Sequence, residues 1–391
     1  MGNMIIIDKP KLDKKGKELQ ISVDFKIDGE KKNLWYSFPC QFEEYMVVEQ
    51  LDAFVIGLLF LALKTGYDIK LKAPLSARLY YSLNHYVIDA LCLVNPEYKR
   101  IKIIPSSLST ANLNVSESAG TGLSCGIDSF ATYYDHRNEV RPYIIDYFTF
   151  FNVGSHGDYG GDQARKIFNE RLINVTRFAE KVNKKVITVD SNLSEILQMK
   201  FQETYNLRTI SCALLLQKLF KNYYYSSGTR FDHFAFNNKE IADVDMLIIP
   251  NLSTESTSCF VTALKYSRIG RTELISEFPE TYEHLDVCTH PFVEGRKEIN
   301  CSECYKCQRT MLTLEVLEKL ECYSAVFDLE KFRRNRKNYI GWLLSKERKL
   351  TLDRELIGLL RKMGQINSEI YFYKLKHIFY RQKLKLKRTF S

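Results

Sequence analysis

The sequence has no apolar run long enough to cross a bilayer. Its longest, Ala53 to Leu63, is flanked by Asp52 and Lys64 and falls well short of the roughly 20 residues a spanning helix needs. It reads as a buried helix. The stretch Met1 to Pro10 lacks an apolar core of signal-peptide length, so the expectation is a cytoplasmic protein with no membrane partner. No Lys-Ser or Lys-Thr pair follows the glycine-rich segment Gly120-Thr121-Gly122-Leu123, which excludes the Walker-type phosphate loop. A disulfide framework is the poorer account of the ten cysteines, because the chain is long and three of them fall within seven residues. Metal binding in a reducing compartment is the better one.

What is present is concentrated in a few places. Ser124-Cys125-Gly126-Ile127-Asp128-Ser129 puts hydroxyls, a glycine and a carboxylate just ahead of a helix-like segment, Phe130 to Glu139. Unpaired N–H groups and the helix dipole favour an anion at such a start. Gly126 would let a phosphate approach the main chain. The plainer reading is a serine-rich turn with Asp128 or Ser129 as an N-cap.

The surroundings have an alternating strand and helix order. Tyr143 to Asn152 reads as a strand, Gln163 to Val182 as a helix, Lys185 to Val189 as a strand, Thr204 to Phe220 as a helix, and Tyr223 to Ser226 and Met246 to Pro250 as strands. That order predicts an α/β domain with a mostly parallel sheet and helices on both faces. Ligands sit beyond the carboxyl ends of strands in such sheets. Ser124 to Ser129 would be the first of these loops and Asn152-Val153-Gly154-Ser155-His156-Gly157 the second, bordering base and ribose. His156 reads as an ordinary loop histidine.

Residues 1–112 read as a separate α+β domain: a hairpin turning at Asp28-Gly29, a helix from Glu43 to Leu63, another from Leu75 to Leu93, and a short strand Arg100 to Ile104. Ser106 to Glu117 is the expected linker. The α/β domain is expected over 118–320, and a basic helical extension over 321–391. The net charge is +9, but Lys331 to Ser391 alone carry 18 Lys/Arg against 4 Asp/Glu. The remainder of the chain is therefore acidic, and the basicity belongs to the tail.

Cys301, Cys304 and Cys307 follow Cys288 at Cys-x2-Cys-x2-Cys spacing. One tight turn can then offer two sulfurs to one ion, and four thiolates complete a tetrahedral zinc site. An iron–sulfur cluster also suits this spacing. His290 or Cys322 are alternative fourth ligands.

The loop, the α/β order and the late four-cysteine cluster together resemble the PP-loop ATP pyrophosphatase superfamily (the adenine nucleotide alpha-hydrolase-like fold), and within it 7-cyano-7-deazaguanine synthases. The family loop is Ser-Gly-Gly-x-Asp-Ser, so Cys125 replaces a glycine. The family's Arg-Asn pair stands here as Arg208-Thr209, so Thr209 replaces the asparagine. No counterpart of the family's Tyr-Pro-Asp-Cys-Arg substrate segment is present; Leu252-Ser253-Thr254-Glu255-Ser256 and then Lys265, Arg268 and Arg271 stand instead. The pattern is closer to divergent synthase-like proteins, some linked to antiphage defence, than to the housekeeping enzyme.

The resemblance implies ATP-dependent adenylation of a carboxylate with release of pyrophosphate, then attack by ammonia or another amine. Ser124, Cys125, Gly126, Ile127, Asp128 and Ser129 would bind the nucleotide with Asn152, Val153 and Gly154. Asp128 would orient the loop or help hold Mg²⁺. Arg208 would act at the α-phosphate or the substrate carboxylate. Glu255, Lys265, Arg268 and Arg271 are candidate substrate contacts, the three cations sharing a helix face by their spacing. ATP, Mg²⁺ and Zn²⁺ are the implied cofactors. Expected partners are a small-molecule carboxylate, a second copy in a homodimer, and a protein or nucleic acid at the basic, aromatic-rich tail. Two other functions stand beside this one: a tRNA-thiolating PP-loop enzyme, and a non-catalytic nucleotide- and zinc-binding module.

Overall fold

Eleven strands form one sheet in the computed structural model, which describes residues 4–236, 241–290, 297–347 and 353–389, with side chains of the last helix through residue 383. The strands are β1 (Met4–Ile7), β2 (Lys11–Lys15), β3 (Glu18–Ile27), β4 (Glu30–Pro39), β5 (Asp68–Leu71), β6 (Leu75–Ser76), β7 (Ile103–Ile104), β8 (Leu108–Ser109), β9 (Ser118–Gly122), β10 (Ile145–Asn152), β11 (Lys185–Ser191), β12 (Phe220–Ser226) and β13 (Ser258–Thr262). The order is β13-β12-β9-β10-β11-β4-β3-β1-β5-β7, with β2 on β3 and a separate β6–β8 pair. The five strands β9 to β13 are parallel neighbours. The protein is thus α/β with a mostly parallel central sheet.

The chain divides into two compact units, Met1–Ser124 with Thr132–Lys265, and Cys125–Ala131 with Tyr266–Ser391. No boundary falls at the expected linker near residue 112. β4 pairs antiparallel with β11 through Asp190↔Ser37 and Ser191↔Tyr36, so the amino-terminal strands extend the parallel sheet. Side chains lengthen that seam: Trp35 N donates to Asn192 Oδ1 at 2.9 Å, and Ser191 Oγ donates to Trp35 O at 2.6 Å. Likewise the cysteine cluster and the basic tail belong to one unit that begins near residue 266.

The core of the first unit centres on the Asp52–Thr65 helix, buried nearly all round as its sequence predicts. Gly66, at φ +77°, ends it. Gly57 is required where Tyr36 crosses, since a Cβ there would lie 2.6 Å from Tyr36 Oη. The helix starts later than expected, because Met46 is extended and Val47 N donates to Leu215 O at 3.1 Å. The expected strand Met246–Pro250 is instead a helical turn, Asp245–Ile248, followed by a 3₁₀ turn at Pro250–Leu252. A four-residue apolar run suits either state. The fifth parallel strand is β13, whose Ser and Thr neighbours disguise it as loop.

The second unit contains the helices Arg268–Ser276, Tyr305–Val316, Leu329–Lys346, Arg354–Lys362 and Ser368–Thr389. Among the described residues, no helix is long and apolar enough to cross a membrane.

Candidate functional site

β9 lies where the strand order reverses. From it the chain steps one way through β10 and β11, and the other way through β12 and β13. Ligands of open α/β sheets bind at such a switch point, and β9 runs in sequence directly into Leu123–Ser129. Cys125 adopts φ +56°, the left-handed conformation that glycine takes without strain. Its side chain is fully buried, and its carbonyl accepts from Asp286 N at 2.9 Å. Burial, and secondarily the Asp286 carboxylate, push the thiol well above its ordinary pKa. Cys125 is therefore a protonated packing group and not a nucleophile.

The Ile127–Asp135 helix opens with Phe130 N donating to Gly126 O at 3.0 Å. Ser129 Oγ donates to the same carbonyl at 3.0 Å. Asp128, on the first turn, meets two arginines. Arg268 Nη1 donates to its Oδ1 at 2.8 Å and its Oδ2 at 3.0 Å, and Arg271 Nη1 reaches Oδ1 at 2.5 Å. Both come from one face of the Arg268–Ser276 helix, which Ser267 Oγ caps by accepting from Gly270 N at 3.1 Å. Burial works to raise the Asp128 pKa, but the two guanidiniums outweigh it and hold the carboxyl well below the usual range. With its lone pairs taken by guanidinium donors, Asp128 fits the role of orienting group better than that of Mg²⁺ ligand. The Asp128 side chain is 31% exposed, Arg268 15% and Arg271 1%. Arg271 is a support, while Arg268 also faces solvent.

Two further cations act electrostatically on this cluster, Lys306 and Arg309 of the Tyr305–Val316 helix. Arg309 Nη1 lies 3.7 Å from Asp353 Oδ1 and donates to Tyr305 Oη at 3.0 Å. Arg268, Arg271, Lys306 and Arg309 thus gather around Asp128, and their mutual repulsion favours an anionic ligand. Lys306 and Arg309 were not singled out from the sequence. Their i,i+3 spacing beside the metal ligand Cys307 was the available signal.

The other expected site residues lie elsewhere. Arg208 requires a correction. It is fully buried, and its guanidinium donates to Val153 O at 3.1 Å, Asp158 O at 3.2 Å, Ser194 Oγ at 2.9 Å and Met199 O at 2.7 Å. Nη1 and Nη2 are engaged in holding the 153–158 loop, Ser194 and Met199, Nε is buried without a hydrogen-bond partner, and burial lowers the pKa to about 10. Gly154, at φ +121°, leaves room for it, since a Cβ there would sit 2.4 Å from Nη1. Asn152 Nδ2 donates to Asp190 Oδ1 at 2.7 Å. His156 is buried against Phe150 and Phe168, and burial lowers its pKa to about 3, so it is neutral. Glu255 accepts from Arg78 N at 2.7 Å within the first unit. Lys265 precedes the helix that carries Arg268 and Arg271 and pairs with Asp135 at 2.7 Å, so the three cations do not share one helix face.

Cys288, Cys301, Cys304 and Cys307 converge, their sulfurs all within 4.8 Å of one another. Cys301 and Cys307 are 3.8 Å apart, and Cys304 and Cys307 3.3 Å. A tetrahedral ion with metal–sulfur bonds of about 2.3 Å needs sulfurs roughly 3.8 Å apart. The cluster therefore fits one ion, and the several irons of a cluster would spread the thiols further. Cys288 is the fourth ligand here; Cys322 is exposed and neither it nor His290 belongs to the group. Backbone donors point at the sulfurs, Cys301 N to Cys288 Sγ at 3.4 Å and Cys304 N to Cys301 Sγ at 3.2 Å. Ser302, at φ +59°, makes the turn between them.

Asn300 ties this knot together. Its Oδ1 accepts from Val287 N at 2.9 Å, and its Nδ2 donates to Leu285 O at 2.7 Å and Val326 O at 3.1 Å. The knot also reaches the loop. Cys288 N donates to Asp286 Oδ1 at 3.2 Å, and Asp286 N holds Cys125 O. On its other side, Cys304 immediately precedes the helix bearing Lys306 and Arg309. Metal centre, loop and cations are one construction inside the second unit.

Comparison with protein-family models, with curated proteins and with solved structures gives no match.

Proposed function

We propose that this protein is an ATP-dependent enzyme that activates a carboxylate, with the 7-cyano-7-deazaguanine synthases as its nearest functional pattern. The observation that carries the reading is the paired grip of Arg268 and Arg271 on Asp128, at the first turn of the helix that follows a left-handed residue. The family's glycine stands at the position of Cys125. Cys125 holds the left-handed backbone that a glycine adopts without strain, which supports a working loop over a decayed one.

In this reading a substrate carboxylate oxygen attacks the α-phosphorus of ATP. The bond from that phosphorus to the bridging oxygen breaks, and pyrophosphate leaves with the electron pair. An amine nitrogen then attacks the acyl carbon and AMP departs. The chemistry asks chiefly for charge stabilisation on the leaving group. Gly126 and the first-turn N–H groups would approach the pyrophosphate oxygens, with Arg268 and Lys306 offsetting their charge. Asp128 positions Arg268 and is neither base nor nucleophile. Mg²⁺ would arrive with the nucleotide. Zinc in the four-cysteine site has no open position and would hold the Tyr305–Val316 helix in place.

The spacing of the four sulfurs, which suits one ion, favours this reading over a thiolating enzyme with an iron–sulfur cluster. The test is an incubation of the zinc-loaded full chain with ATP, Mg²⁺, ammonia and a deazapurine carboxylate. Pyrophosphate and AMP should appear in equal amounts, with an acid-derived product visible by mass spectrometry. Arg268→Gln should lower the rate by about 10²-fold, the usual loss for one electrostatic contact to a developing charge. A folded, zinc-loaded protein that releases no pyrophosphate with any of a panel of acids would overturn the reading.

A further inference from the structure

The Ser368–Thr389 helix is docked along one side only. It lies parallel to the Leu329–Lys346 helix, as the pairs Lys337–Glu369 (2.6 Å) and Ser345 O–Arg381 Nη2 (2.6 Å) advance together. Between them His377 Nε2 meets Asn338 Oδ1 at 3.0 Å, and Ile370 is buried. Gly341 permits the close crossing, since a Cβ there would lie 2.4 Å from Tyr373 Cβ.

The opposite side carries large exposed rings. Phe372, 66% exposed, and Phe379, 65%, seven residues apart, share this side, and Tyr371 (47%) and Tyr380 (61%), nine residues apart, flank it on its two edges. A tail folded merely to pack its aromatics would not leave these outside. Each of them has a lysine one turn on: Tyr371 with Lys374, Phe372 with Lys376, Phe379 and Tyr380 with Lys383. Residues three or four apart are neighbours on a helix surface. Lys374 Nζ already lies 5.6 Å from the Tyr371 ring centre. Lys376 and Lys383 are exposed. Lys385, Lys387 and Arg388, also expected to contribute to the tail's charge, have side chains outside the described residues.

We propose that this face binds single-stranded nucleic acid. The charge calls for a polyanion, and the arrangement of the charge selects which. In a helix lying on a lipid surface, the cations sit on the face opposite the apolar one. Here Lys376 and Lys383 share the face with Phe372 and Phe379. A ring beside a cation suits a ligand that repeats a flat base beside a phosphate. Phe372 and Phe379, two helical turns apart, give two stacking places on one strand.

The test uses the full chain, a twelve-nucleotide oligouridine RNA and the matching oligothymidine DNA, read by fluorescence anisotropy across a salt series. Saturable binding of either strand is expected, and the two arms tell RNA from DNA. Replacing both exposed phenylalanines (Phe372→Ala with Phe379→Ala) should weaken binding at least tenfold while leaving the salt slope unchanged. Replacing Lys374, Lys376 and Lys383 by Gln should flatten the slope of log affinity against log salt by about 2, at roughly 0.7 per phosphate contact. The lysine variant keeps the test valid should the double phenylalanine variant fail to fold. Absence of binding at low salt, binding that neither variant changes, or capture by phosphatidylserine vesicles that oligouridine does not compete off would overturn the proposal.

Discussion

The two units bury charge in opposite ways. In the first, buried carboxylates meet neutral donors. Asp245 accepts from Asn206 Nδ2 at 3.3 Å and Ser227 Oγ at 3.1 Å, and burial raises its pKa to about 8. Asp52 accepts from Ser76 and Gln217, and burial raises it too. The buried arginine of that unit, Arg208, faces carbonyls and a hydroxyl. In the second unit Asp128 meets two guanidiniums and is held down. Neutral networks of the first kind fix loops between strands. An ionic cluster that still reaches water, as Asp128 and Arg268 do, leaves net charge available to a ligand. By this contrast Arg208 serves packing, while Arg268 and Arg271, read from the sequence as candidate substrate contacts, carry the charge beside Asp128.

The largest expected effect separates the units outright. If the four cysteines hold zinc, as proposed, chelating it or replacing Cys304 by Ser removes a tie whose binding energy in small zinc domains reaches about 10 kcal/mol or more. Protection of amides from hydrogen exchange should then fall across residues 125–131 and the described parts of 266–346, with residues 4–124 unchanged. Loss spread evenly over both units would break the comparison. So would a loop at Cys125 that stays protected, because the Asp286 link would then carry nothing.

The buried carboxylates should come next, with opposite signs. Asp128→Ala takes from the buried Arg271 its carboxylate partner, and breaking a buried pair costs about 3–5 kcal/mol. The stabilisation from Asp128 is present above its unfolded pKa near 4 and is lost as pH falls through its lower folded value. Asp245 behaves in reverse. Its folded form holds a proton that the unfolded chain releases near pH 4, so stability falls as pH rises toward 8. One proton changes stability by about 1.4 kcal/mol per pH unit. Asp245→Asn should therefore abolish a loss of roughly 2–3 kcal/mol between pH 5 and 7. Urea unfolding at the two pH values measures it. An unchanged slope in the Asn variant would show that Asp245 is ionised and that the contrast between units is false.

Much of this was legible in the chain, and the failures share a cause. The cysteine spacing, the parallel strand order and the buried Asp52–Thr65 helix are set by local pattern. The joining of residues 1–112 to the sheet was not, because it rests on the β4–β11 pairing across more than 150 residues of sequence. Arg208 was misjudged for a similar reason: its partners at Val153, Asp158, Ser194 and Met199 come from separate segments. Arg268 and Arg271 were visible as a spacing, but their target Asp128 lies 140 residues earlier. Local pattern finds elements and ligand turns. It does not say which buried cation meets an acid and which meets a carbonyl.

The smallest effect is the most exacting for the loop. Cys125→Gly removes the strain of a left-handed non-glycine residue, about 1–2 kcal/mol. It also frees the unfolded chain, at about 0.5–1 kcal/mol, and gives up the packing of a fully buried thiol. These terms nearly cancel, so urea unfolding should place the variant within about 1 kcal/mol of the parent. Cys125→Val, with a branched Cβ at the same φ, should be clearly less stable. If glycine instead destabilises by 3 kcal/mol or more, the thiol's packing rather than the left-handed turn is what position 125 is built for. The loop would then be a piece of core, closer in kind to the neutral networks of the first unit than to the ionic cluster beside it.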